Sequence, residues 1–186
     1  MPDFSQIAYR IKREVGKLYS NLKGADFDFT YPDEAFAPPD IRTEEYLSYF
    51  ALNGCPLPRA IAEFYRQIGS VNFCGSLPTW NDVDYPDPLN VMPLQVSFEW
   101  FRDEYVASPE QQKMYVKTYG GFYFRVSPDL YHKQGVSGGD AYGFALLTTE
   151  EDPVLMHMQW KLRFIEYVDF AILRGGFPGI SPKETA

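Results

Sequence analysis

The chain has 186 residues, 45% of them hydrophobic and 23% charged, a balance that fits one globular domain and excludes a disordered or fibrous protein. A formal net charge of -8 argues against direct binding of DNA or RNA, which needs a basic patch. Every apolar run is broken by a charge well short of the ~20 residues that cross a bilayer.

The first twenty residues interleave charges with apolar positions, where a secretory signal needs an unbroken apolar segment. A cytoplasmic location is expected. Cys55 and Cys74 are the two cysteines; a core of this size needs no disulfide, so both are expected as reduced thiols. The charge is unevenly spread. Residues 1–23 hold five basic and two acidic side chains, residues 24–110 four and fifteen, and residues 111–186 eight of each. An acidic surface on the middle stretch would attract basic proteins, or serve solubility alone.

Ile7, Ile11, Val15, Leu18 and Leu22 recur at helical spacing and predict an amphipathic first helix, with Gly24 placed as a left-handed cap. Residues 24–41 carry Pro32, Pro38 and Pro39 among acidic residues and read as an exposed connection. Thr43, with Glu44 and Glu45 after it, is placed to cap a short helix through Leu52 that buries Leu47 and Phe50. In PLPRAIAEFYRQIGS, Pro58 suits a first helical turn, Ile61, Phe64, Tyr65 and Ile68 share a face, and Gly69 reads as the terminator.

VNFCG and LNVMPL predict short strands around the loop SLPTWNDVDYPDP. Ser97 reads as the cap of a helix with Phe98, Phe101 and Tyr105 inward and Pro109 beyond its end. FYFRV and YGFALL predict two strands around a turn-rich segment, PVLMHM one more, and residues 163–174 a last helix stopped by Gly175 and Gly176. Strands grouped in the middle with helices mainly at the ends give an α+β domain with an antiparallel sheet.

Candidate chemistry fails on context. Gly135-Val136-Ser137-Gly138-Gly139 fits the nucleophile-elbow pattern, with Asp152 and His157 following, but the elbow needs a strand before the serine and a helix after it. Here a polar stretch precedes Ser137 and a strand follows. His132 and His157 lack the spacing that puts two nitrogens on one metal. Asp82, Asp84 and Asp87 begin like a calcium loop, yet Asp87 and Pro93 stand where glycine and glutamate are required. No glycine pair completes a nucleotide motif. No catalytic residue, metal or cofactor is assigned. Trp80, Asp82, Asp84, Tyr85 and Asp87 combine aromatic groups with fixed charge and are the candidate partner contacts, the alternative being a solvated structural loop.

Three segments, PLPRAIAEFYRQIGSVNFCG, YPDPLNVMPL and FIEYVDFAILRGGFPG, carry a resemblance in their order and spacing. They resemble the SUKH superfamily, in its bacterial branch related to the fungal cell-wall-synthesis regulators, whose Leu-Pro pair opens a helix with a central aromatic and a closing glycine. Leu57, Pro58, Phe64, Tyr65 and Gly69 match that pattern, over a likeness spanning residues 44–179 of a single domain. The first helix and the long acidic loop stand outside it. The resemblance implies an α+β fold without catalytic residues and, for many bacterial members, binding and neutralisation of a toxin domain. A basic toxin or nuclease domain is the partner expected, with a regulatory or scaffold role without a toxin as the alternative.

Overall fold

The computed structural model describes residues 2–80, 87–147, 149–158 and 160–179. Helix α1 (Phe4–Gly24) opens on Asp3, whose carboxylate accepts the Gln6 N–H, and buries Phe4, Ala8, Ile11, Val15 and Leu22. The left-handed residue after it is Asp26, at φ 57°, two positions beyond Gly24. Aspartate tolerates this conformation because its short polar side chain hydrogen-bonds locally.

The acidic connection that follows is more than a solvated link. It contributes β1 (Asp28–Phe29) and β2 (Phe36–Ala37), and Phe27, Phe29 and Ala35 enter the core. Helix α2 (Thr43–Leu52) buries Leu47 and Phe50, but Thr43 is not its cap; its hydroxyl donates to the Asp40 carbonyl, while the Asp40 carboxylate accepts the Arg42 N–H. Pro58 lies just before α3 (Arg59–Gln67). That helix and the residue after it bury Ile61, Phe64, Tyr65 and Ile68. Gly69 is required by contact, since a Cβ there would sit 1.9 Å from the Pro38 carbonyl oxygen.

Strands β2, β3 (Ser70–Asn72) and β5 (Asn90–Val91) form an antiparallel sheet in which Val71 faces both Phe36 and Val91, and β4 (Gly75–Ser76) pairs with β1. The Met92 N–H donates to the Val126 carbonyl at 2.9 Å. This joins the sheet to the hairpin of β6 (Tyr123–Ser127) and β7 (Tyr142–Ala145). Residues 153–158 make single bridges, Met156 to Gly143 and Val154 to Arg163, in place of the full strand expected.

Between the two sheets the chain runs α4 (Leu94–Trp100), a π-helical turn through Val106 and α5 (Pro109–Tyr119). Ser97 lies inside α4, fully buried, and donates to the Arg125 carbonyl at 3.0 Å. The helix starts four residues earlier because Pro93 supplies the fixed φ of an entry residue and lacks the N–H that would go unpaired. Phe98, Phe101 and Tyr105 point inward as expected. Helix α6 (Leu130–Lys133) occupies the segment read as a turn, and α7 (Phe164–Leu173) ends before Gly175 and Gly176, both at positive φ.

One connected core runs from Phe4 in α1 to Phe177 after α7, with Phe50, Phe101, Phe122 and Phe124 at its centre. The described residues thus form an α+β fold with small antiparallel sheets, as the sequence predicts.

Candidate functional site: an acidic groove over a buried ion pair

The face of the β3–β5 sheet that carries Asn72 and Asn90 forms the floor of a groove of about 680 Å³. Asp28, Thr30, Tyr31, Glu34, Gly75 and Ser76 make one wall; Val96 and Trp100 of α4 and His132 to Gly135 make the other. The floor is tied together by Asn72, which donates to the Glu34 carboxylate at 3.2 Å, and by Asn90, which donates to the Cys74 sulfur at 3.6 Å. Cys55 and Cys74 are free, buried thiols, and burial raises the pKa of each.

The acidic wall is set by local sequence. Residues 24–41 contain no Lys or Arg, and Asp26, Asp28, Asp33 and Glu34 are all exposed. Elsewhere in the middle stretch, four carboxylates pair with arginines: Glu44 and Glu63 with Arg66, Asp103 with Arg102, and Asp40 with Arg42. Among the described residues no ion pair engages the four carboxylates of the 26–34 strip. The groove's one lysine, Lys133, contributes no exposed side chain.

Lys133 instead underlies the site. Its Nζ donates to Asp87 Oδ1 at 2.7 Å and to the Tyr167 hydroxyl at 3.4 Å, and it lies 4.8 Å over the Tyr142 ring. The Tyr142 hydroxyl donates to the other Asp87 oxygen at 3.3 Å. Burial opposes the ammonium charge, but Tyr167 and Asp87 outweigh it and hold the pKa above the usual lysine value. Burial, followed by the Asp87 charge, pushes the Tyr142 hydroxyl far up. Such a pair is locked: both charges are desolvated, and each is the other's compensation.

The expected partner loop is therefore divided. Asp87 is corrected from a surface contact to a buried structural residue, 4% exposed, because a carboxylate can be buried only where a cation meets it. Trp80 is half-buried, with edge-on contacts to Phe27 and Phe177 at 5.8 and 5.1 Å, and so anchors the loop's near end to the core. Asp82, Asp84 and Tyr85 lie outside the described residues.

Ser137 is exposed between α6 and β7, while the Asp152 carboxylate accepts the Ile165 N–H at the start of α7. His157 Nδ1 lies 3.6 Å from Asp140, and the His132 ring is bonded to Asp129, which also accepts the Tyr131 and His132 N–H groups. No group of three metal-ligating side chains occurs among the described residues, and none of their helices is long and apolar enough to cross a membrane.

A second cavity, of about 460 Å³, opens on the far side of Trp100 and Pro128 and is walled by Tyr115, Tyr119, Tyr123 and Arg125. Neither cavity was legible in the sequence, because their walls come from segments up to about a hundred residues apart. One local signal existed: Asp129 before Leu-Tyr-His-Lys is a helix-cap pattern that fixes where Lys133 points. No family model, curated protein or solved structure matches this chain.

Proposed function

We propose that this chain is a non-enzymatic protein-binding domain of the immunity type, which acts in the cytoplasm by holding a basic segment of a toxin domain in the acidic groove. The observation that carries the reading is the exposed strip of Asp26, Asp28, Asp33 and Glu34, free of ion pairs among the described residues, of which Asp28 and Glu34 line a groove that presents no exposed Lys or Arg among its described residues. Unpaired carboxylates at a protein surface raise the encounter rate of a basic partner, and pairing on contact replaces water with guanidinium or ammonium groups. Tyr31, 53% exposed at the groove rim, adds the aromatic surface that interface anchors use. The resemblance to the SUKH superfamily in residues 44–179 points the same way.

Affinity capture of the tagged chain from its own cells, at low and raised salt, tests this. The expected catch is a basic domain with toxin or nuclease character, released by salt and lost from the Asp28→Lys/Glu34→Lys variant. A catch of envelope or signalling proteins, retained by that variant, would move the reading to a scaffold role.

A further inference from the structure

The cavity behind Trp100 contains a cation without a counter-ion. Arg125, half-buried on β6, lays its guanidinium 4.2 Å from the centre of the Trp100 ring. Among the described residues no carboxylate lies within ion-pair distance of it and no acceptor bonds its N–H groups. The two acids of the cavity are engaged elsewhere: Asp129 holds two backbone N–H groups and the His132 ring, and Asp140, 67% exposed, faces His157. The remaining wall is flat and aromatic. Tyr119 and Tyr123 stack at 4.6 Å, and the Tyr115 and Tyr123 hydroxyls are spent on Glu104 and the Ala141 carbonyl.

We propose that this cavity binds a small aromatic carboxylic acid, its carboxylate on the open edge of Arg125 and its ring against Tyr119 and Met92. Stacking on Trp100 fixes the plane of the guanidinium, so the fork that accepts a carboxylate in two parallel hydrogen bonds is oriented before the ligand arrives. A single cation, with two acids at the margin, selects a monoanion over a phosphate or a polyanion. The tyrosine wall supplies the apolar contact that a bare inorganic anion would leave unused. This site is separate from the acidic groove and does not depend on what that groove binds.

The test is titration of the full chain with benzoate and with benzamide, its uncharged analogue of the same shape, followed by calorimetry and by the indole N–H resonances of the three tryptophans. The expected result is saturable binding of benzoate that shifts the Trp100 signal and leaves the Trp160 signal in place. Loss of a charge-assisted bond of about 1.5–3 kcal/mol makes benzamide, or benzoate with Arg125→Gln, bind roughly 10- to 100-fold more weakly. Equal binding of the acid and the amide by the unaltered chain, or no Trp100 shift by tens of millimolar benzoate, would overturn the proposal. Unchanged benzoate affinity in Arg125→Gln would do the same.

Discussion

Lys133 and Asp87 are 46 positions apart, and their pairing closes the groove from below with side chains 0% and 6% exposed. Lys133→Met leaves the Asp87 charge buried and unpaired, so we expect a loss of about 3–5 kcal/mol of unfolding free energy. The double variant Lys133→Met/Asp87→Leu removes both charges and should recover most of that loss in urea titrations. Double-variant stability equal to the sum of the single losses would mean that the two residues do not act as a pair. Gly69 makes a different kind of demand. An alanine there drives its Cβ into the Pro38 carbonyl, 1.9 Å away, and should cost about 2–3 kcal/mol by the same measurement. The sequence marked Gly69 as special but for the wrong reason, because close approach of two chain segments leaves no trace in local residue order. Lys133 and Arg125 were silent for the same reason: charge counting treats every lysine and arginine as a surface group until its neighbours are known.

Helix α1 is built into the common core. Phe4, Ile11, Val15 and Leu22 are buried in the cluster that includes α3 and α7, and Arg10 holds Asp169 of α7 through two hydrogen bonds of 2.8 and 2.9 Å. Burial of those four side chains is worth roughly 6–12 kcal/mol, comparable to the whole stability of about 5–15 kcal/mol usual for a domain. A chain starting after Gly24 is expected to lose cooperative unfolding, which circular dichroism on heating would show; a native-like transition would contradict the account. Helices with strong apolar periodicity, α1, α3 and α7, were legible to within a residue or two. The starts of α2 and α4 were less so. Ser97 and Thr43 looked like caps because hydroxyl residues favour that position, but Pro93 and Asp40 fixed the entries first. Helices α5 and α6 were missed, since α5 buries Tyr115 alone and α6 has no buried apolar residue to give it a period.

At the scale of the molecule, buried tyrosines and Lys133 make the fold sensitive to alkali. Burial raises the pKa of Tyr65, Tyr123 and Tyr142, and pushes Tyr115 up to about 12. A group whose folded pKa lies above its unfolded value keeps its full contribution below the unfolded value and loses it as pH climbs through the folded one. For tyrosine and lysine the unfolded values are about 10 and 10.4. Stability in urea should therefore stay level on this count up to about pH 10 and fall above it, less steeply in Lys133→Met than in the unaltered chain. The charge imbalance between segments was plain in the sequence, and the structure narrows it: Asp40, Glu44, Glu63 and Asp103 are each paired with an arginine, while among the described residues the carboxylates of the 26–34 strip make no ion pair.

The central claim is that this strip recruits a basic protein. The most direct test is the association rate of the captured partner as a function of ionic strength, for the unaltered chain and for Asp28→Asn/Asp33→Asn/Glu34→Gln. The account predicts a rate that falls steeply with salt in the unaltered chain, and a variant about tenfold slower at low salt with a flattened dependence. Identical rates and identical salt dependence in the two proteins would contradict it.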